Sequence, residues 1–356
     1  MRTLAWLGLI GLSLFLIAAP LPLSAQDTPP TPPAFQMPEL LKVWGSVGKE
    51  PGHFQSPWGI DIGPDGQIFI SDHKNQRVQV FTPEGEFVRQ FGQPGWLEPG
   101  QLRGPVGISI GPDGNVYVAD SWNSRIQVFT REGEFLRAWT GPNSGLQSEG
   151  PRMTPWGIAV GPGGHVFVSD LDAHIIYKFT GEGELVTTWG GRGTGEGQFT
   201  HPTGMEISQD NLLYVVDSLN YRVQVFDLDG NFQFQWGDQC SLYLHPDRGC
   251  EDPDGDGPLG KTDAQFDSPW GISFDAQGRV YVADSANKRI QVFTPEGEFL
   301  FKWGELGREP GKFDNSVDVA VNEAGQVYVV DLNNQRIQMF SALQPATDSE
   351  DDASSE

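Results

Sequence analysis

The stretch Ile70-Ser71-Asp72-His73-Lys74-Asn75-Gln76-Arg77-Val78-Gln79-Val80-Phe81 decides the architecture because it recurs. It returns as Val118-Ala119-Asp120, followed by Arg125-Ile126-Gln127-Val128-Phe129, and again around Asp170, Asp217, Asp284 and Asp331. From one aspartate to the next the intervals are 48, 50, 47, 67 and 47 residues, so one repeat carries an insertion of about 20. Self-similarity at such a period marks a repeat architecture, in which no unit buries its apolar surface alone.

Outward from this phrase, each unit has the same plan. A Pro-x-Gly turn opens it (Pro57-Trp58-Gly59), followed by a short apolar run, Ile60 to Ile62. A turn at Gly63-Pro64-Asp65-Gly66 leads to the run Ile68–Ile70, and a loop spelled Asp-x-x-Asn-x-Arg (Asp72, Asn75, Arg77) leads to Val78–Phe81. A Glu84-Gly85 turn precedes Phe87–Phe91. Runs of β-branched and aromatic residues between glycine turns predict four strands per unit. No segment after the N-terminal apolar run carries helical apolar spacing.

Six four-stranded units predict an all-β fold, a six-bladed β-propeller with blades radial to a central channel. The last repeat stops at Phe340 without an outermost strand, and Leu40-Leu41-Lys42-Val43-Trp44-Gly45 matches the missing one, as comparison with Leu300-Phe301-Lys302-Trp303-Gly304 shows. The N-terminal strand is therefore expected to close the last blade and remove an open edge.

Composition agrees. Glycine (45) and proline (27) make up about a fifth of the 356 residues, and 38% hydrophobic residues supply a sizeable core without help from disulfides. With 23 basic and 47 acidic side chains the formal charge is −24, which opposes phosphate and excludes nucleic acid as a partner. Residues 1–25 read as a signal peptide: Arg2, an apolar run from Leu4 to Leu23, and a cleavage site at Leu23-Ser24-Ala25. The run is also long enough for an uncleaved anchor, the one membrane contact expected. Residues 26–37, with Thr28-Pro29-Pro30-Thr31-Pro32-Pro33, read as a Pro-rich linker, and 342–356 as an acidic disordered tail. The propeller is placed at 38–341, and the protein outside the cytoplasm: extracellular, periplasmic or at the cell surface.

The Pro-x-Gly and Asp-x-x-Asn-x-Arg marks resemble the NHL repeat over about 300 residues, and the Gly-His and Trp-Asp marks of WD40 blades are missing. The resemblance implies the six-bladed ring. For function it implies an interaction platform, an RNA reader or, occasionally, an enzyme. Features that recur from blade to blade read as architecture: Asp72/Arg77, Asp120/Arg125, Asp217/Arg222, Asp284/Arg289 and Asp331/Arg336, in five of the six blades, are expected to brace loops. The third blade departs, with Ala173 and Ile175 in place of the Asn and Arg.

Features that vary are candidates for function. The middle residue of the Pro-x-Gly turn is Trp58, Val106, Trp156, Thr203 and Trp270, with Val317 in a degenerate sixth copy. Indoles in blades one, three and five would stand about 120° apart near the channel mouth. There they would either cage a sugar ring, a cation or a proline-rich peptide, or plug the channel. Peptidyl-α-hydroxyglycine amidating lyase propellers, which the chain distantly resembles, place zinc-binding histidines in such turns. Indole offers no basic lone pair, so no zinc is expected. His53, His73, His165, His174, His201 and His245 are scattered along the chain, and His201 stands closest to the mouth, before Pro202. Neither a Gly-x-Ser-x-Gly elbow nor a phosphate loop is present. Asp61 and Glu206, on innermost strands of opposite blades, are either channel cation ligands or turn-bonded carboxylates.

The insertion falls around 238–266. Its Cys240 and Cys250, the only cysteines, read as a disulfide in an exported chain. After them Asp252, Asp254, Asp256 and Asp263 stand at loop positions 1, 3, 5 and 12, with Gly257 at 6, the pattern of a structural calcium loop. The reading as a whole is an exported, non-catalytic propeller that binds a protein, peptide or glycan at the channel mouth through Trp58, Trp156, Trp270, Thr203 and His201. The alternative is a metal-dependent lyase or lactonase-like hydrolase.

Overall fold

The computed structural model describes residues 35–142, 152–237 and 262–346. Within them are six four-stranded antiparallel sheets, and the first strand of each touches the first strands of both neighbours around a ring. Blade one is typical: Pro57–Ile62 innermost, then Ile68–Asp72, Arg77–Phe81 and Phe87–Phe91. The six-bladed propeller expected from the repeats is thus the observed fold.

Burial explains the sequence pattern of the strands. The second and third strands lie between two neighbouring blades and are covered on both faces, so Ile68–Asp72 and Arg77–Phe81 are buried at every position. Outermost strands meet solvent on one face, and Phe135–Thr140 alternates between half-buried and exposed. The core is accordingly divided into six apolar clusters, one between each pair of consecutive blades.

Closure follows the sequence expectation. Leu40–Trp44 pairs antiparallel with Arg336–Phe340, completing the blade formed by Ser316–Val321 and Val327–Asp331. Trp44 spans the seam, its ring 6.0 Å from that of Phe81 in blade one and 6.2 Å from that of Tyr328 in blade six. Two boundaries move outward. Leu343 is buried in the cluster between blades five and six, where Phe35 also packs, and Gln36 N–H donates to the Gln344 carbonyl at 2.9 Å. The ordered fold therefore takes in the end of the expected linker and the start of the expected tail, because both carry an apolar residue that the last core cluster buries.

The recurrent Asp and Arg form a network that ties each blade to the loop entering it. In blade four, Asp217 Oδ1 accepts from Thr200 N–H at 2.7 Å, while Oδ2 accepts from Asn220 and Arg222 Nε at 2.8 Å and from Gln224 at 3.0 Å. The Arg222 guanidinium also donates to the carbonyls of Thr194, Gly195 and Gln198. Equivalent ion pairs recur at Asp72, Asp120, Asp284 and Asp331. Blade three, with Ile175 in the arginine position, keeps Asp170 as an acceptor for Ala173 N–H at 3.0 Å. Arg222→Ala leaves a buried carboxylate without its counter-charge and three loop carbonyls without their arginine donor. It is expected to destabilise the propeller by about 3–5 kcal/mol in urea or thermal melts, as for other buried pairs that lose one partner.

Candidate functional site

The Pro-x-Gly turn has a steric cause. A Cβ on Gly59 would collide with the Val106 carbonyl, on Gly107 with that of Trp156, on Gly157 with that of Thr203, and on Gly204 with that of Trp270. Adjacent innermost strands approach so closely that only glycine fits. That approach carries the preceding residue of each turn to the axis.

Three of those residues are Trp58, Trp156 and Trp270. Their ring centroids are 5.2, 5.0 and 5.4 Å apart, an edge-on and tilted cluster in which every indole touches the other two. A point equidistant from the three lies about 3 Å from each centroid, less than one carbon–carbon contact. No ligand atom fits between them. Of the two arrangements open to the sequence, the indoles adopt the plug, and each remains half-buried with surface to spare. The intervening Val106, Thr203 and Val317 are small and buried, which makes room for the rings. Thr203 does not reach the surface as a ligand residue would: its hydroxyl donates to the Trp270 carbonyl at 3.0 Å and braces the plug.

Beneath the plug the axis holds a cavity of about 50 Å³, lined by the three indoles, by the inner-strand glycines and by Glu206 and Asp318. Asp61 stands on the same inner ring. Its carboxylate accepts from Ile62 N–H at 2.7 Å and from Ile110 N–H of the next blade at 2.6 Å. Asp318 repeats this across the closure seam, accepting from Val319 N–H at 2.9 Å and from Ile60 N–H at 3.0 Å. Glu206 accepts from Ile207 N–H at 3.1 Å. Burial pushes all three carboxyls up, Asp61 to about 6 and Asp318 and Glu206 to about 8; the charge of Asp61 adds to the rise at both, and that of Asp318 to the rise at Glu206. Asp318 was not among the residues singled out from the sequence. It occupies the place of the missing sixth glycine, and aligning Ser316-Val317-Asp318 with Pro57-Trp58-Gly59 is the signal that finds it. Among the described residues, no three His, Cys, Asp or Glu side chains stand together as metal ligands would.

His201 has a partner that chain distance conceals. Its ring stacks on that of His174 with centroids 5.2 Å apart, and its backbone N–H donates to His174 Nδ1 at 3.1 Å. Burial, with the neighbouring His201 and Arg192 charges, holds His174 below the ordinary histidine range. The repeat explains the meeting: at the closure seam Gln335 and Ser56 hold the same two positions and make the same contact at 2.6 Å. Asp263 is exposed and paired with Lys302 at 2.7 Å. The insertion ends sooner than expected, because Thr262 and Gln265 already supply the carbonyls that Arg289 takes in the repeat pattern. Cys240, Cys250, Asp252, Asp254 and Asp256 lie outside the described residues, as does the signal segment.

Comparison with known proteins agrees with this geometry. The NHL repeat family matches residues 54–81, 102–129, 266–293 and 313–340, the central part of four blades. The chain is similar to protein brain tumor of Drosophila melanogaster (29% identity over 136 residues) and to human NHL repeat-containing protein 3 (34% over 110). These matches span 32% and 30% of the chain but only 13% and 26% of the relatives' own lengths. Among solved structures, a streptogramin B lyase superposes with a TM-score of 0.57 at 15% identity, covering 85% of this chain and 98% of that one, a likeness of fold. The chain is an NHL-repeat six-bladed β-propeller. Propellers of this type are in general scaffolds for protein interaction.

The inner-ring carboxyls predict a pH dependence. Because burial raises them, the folded protein holds protons that the unfolded chain releases above about pH 4.5. Their contribution is complete below that pH and is lost as pH rises through about 8. The melting temperature should be lower at pH 9 than at pH 6. Glu206→Gln should raise it at pH 9 by roughly 2–5 °C and leave it unchanged at pH 5. Scanning calorimetry across the range checks this, and an unaltered slope in the variant would remove burial as the cause.

Proposed function

We propose that this chain is an exported, non-catalytic propeller that binds a protein, peptide or glycan on the face bearing Trp58, Trp156 and Trp270. The observation that carries the reading is the three-indole cluster. It fills the channel mouth and leaves half-exposed indole edges and faces at the axis, suited to contact with a sugar ring or a proline. Export rests on the N-terminal apolar segment and its Leu23-Ser24-Ala25 site. His201, half-buried on the rim of this face, would contribute from the side. The lyase reading has the likeness of fold to the streptogramin B lyase on its side, but the turns in question carry indoles, which cannot ligate a metal.

Calcium is proposed for the loop of Asp252, Asp254, Asp256 and Asp263, next to a Cys240–Cys250 disulfide. Asp263 would exchange its Lys302 partner for the metal. Its role would be to neutralise a run of carboxylates that otherwise repel.

Two measurements test these readings. Replacing Trp58, Trp156 and Trp270 with alanine, singly and together, should abolish retention on glycan and peptide arrays that hold the native protein. Equal retention by the triple variant would place binding elsewhere. Elemental mass spectrometry of residues 26–356 purified without chelator should find calcium, with chelation lowering the melting temperature. One tightly held zinc per chain would overturn the non-catalytic reading.

A further inference from the structure

Arg103 and Arg152 share one groove, and their surroundings differ from those of most arginines in the chain. Those of the blade networks are consumed by buried aspartates, and Arg89 and Arg137 are held by loop carbonyls. Arg103 and Arg152 are exposed, and among the described residues neither side chain has an ion pair or hydrogen bond; Arg192 and Arg308 are likewise exposed but stand on other blades. Together with Trp96, Trp122 and Asn123 they line an open groove of about 350 Å³ on the rim of blades two and three, on the same face as the indole plug. In a chain of formal charge −24, an unneutralised pair of guanidiniums is a local reversal of sign.

The groove is built, not incidental. Trp122 N–H donates to the Arg103 carbonyl at 3.1 Å, and the indole lies over Gly104, where a Cβ would strike its ring. Asn123 Nδ2 donates to the Gly95 carbonyl at 3.0 Å and to Asp120 at 2.8 Å, tying the loop of Trp96 to that of Trp122. Trp122 packs edge-on against His73 with centroids 4.6 Å apart, and His73 lies 6.3 Å from Trp58. An aromatic strip therefore runs from the axis to the groove. It ends in large apolar side chains left in water: Trp122 is 52% exposed, Trp96 65% and Leu97 74%. Isolated exposed apolar residues are ordinary, but a contiguous group beside unpaired cations is a recognition surface.

We infer that this groove binds an acidic peptide segment of a protein partner, one in which carboxylates alternate with aromatic or proline side chains. Carboxylates would take the Arg103 and Arg152 guanidiniums, and the intervening rings would stack on Trp96 and Trp122. The inference rests on the proposed use of the tryptophan-bearing face for binding and supplies the chemistry of the partner. Charge complementarity selects the occupant: the molecule as a whole is strongly acidic, and here two guanidiniums meet exposed aromatic rings in one groove, which favours an acidic ligand over a basic one.

The test uses a fluorescein-labelled peptide, Glu-Phe-Glu-Pro-Glu, acetylated and amidated, in fluorescence anisotropy against the full mature chain. Its analogue with glutamine for every glutamate and one with glycine for phenylalanine and proline serve as controls. Saturable binding is expected, weakened ~10-fold or more in Trp122→Ala and in the double variant Arg103→Glu, Arg152→Glu, and by similar factors in both control peptides. The arginine variants change only exposed side chains, so they stay informative if Trp122→Ala unfolds. No saturation by 1 mM, or equal binding of the glutamine analogue, overturns the inference. Oligogalacturonate binding where the peptide does not would reassign the groove to an anionic glycan and overturn it as well. The Trp58, Trp156, Trp270 triple variant separates the two readings. If it loses array retention while the peptide never binds wild type, the groove fails and the axial surface stands. If it still binds the peptide, the groove stands without the plug.

Discussion

Each regular blade of this propeller is organised around one carboxylate. The second strand ends in an aspartate whose Oδ1 takes an N–H of the incoming loop and whose Oδ2 takes asparagine, arginine and glutamine together. Burying such a group is unfavourable in itself, and Asp284 is pushed up to about 6 despite its arginine. The arrangement holds because both carboxylate oxygens have donors and the arginine, in turn, distributes its remaining N–H groups among loop carbonyls. The loops so fixed are the ones that lead into the innermost strands. The position of the axial residues therefore depends on a polar network that lies well away from the axis.

The axis shows what that fixing allows. Strands held at this separation admit no side chain at the third position of the turn, which is why glycine recurs there. Asp318 is the exception at the blade that the N-terminal strand completes. Its carboxylate reaches the Ile60 N–H of blade one and spans inside the seam that Trp44 spans outside. One seam is thus closed twice, by hydrogen bonding at the channel and by aromatic packing toward the rim. A ring has no free edge once this is done.

Most of the fold was legible because repetition is a property of the chain itself. Period, strand count and the N-terminal closure all follow from comparing one copy with the next. The site was legible only in part, because residue numbers give the blade a side chain belongs to but not its distance from the axis. Trp58, Trp156 and Trp270 could be assigned to alternate blades, yet whether they form an open cage or a closed plug depends on the tightness of the ring, which the glycine contacts set. His174 and His201 belong to different blades and meet across the boundary, where single-blade reading sees two solitary histidines. Asp318 was hidden by the degeneracy of its own motif, and Phe35 and Leu343 by polar or proline-rich neighbours.

Departures from the repeat cluster on one face, and this bears on what the molecule is for. The networks that hold the loops are nearly invariant from blade to blade, while the residues they present differ: indoles in three turns, a histidine pair between blades three and four, arginines and tryptophans between blades two and three. An architecture that needed only to be stable would have no reason to leave Trp96, Leu97 and Trp122 in water beside unpaired guanidiniums, since each exposed apolar side chain forgoes about 25 cal/mol for every Å² that burial would remove from solvent. The strip from Trp58 through His73 to Trp122 joins the axis to that rim by ring contacts alone, so a ligand seated on either end meets one rigid surface. Rigid aromatic area held by a repeated polar frame loses little entropy on binding, which is the physical advantage a propeller has over a flexible loop as a recognition surface.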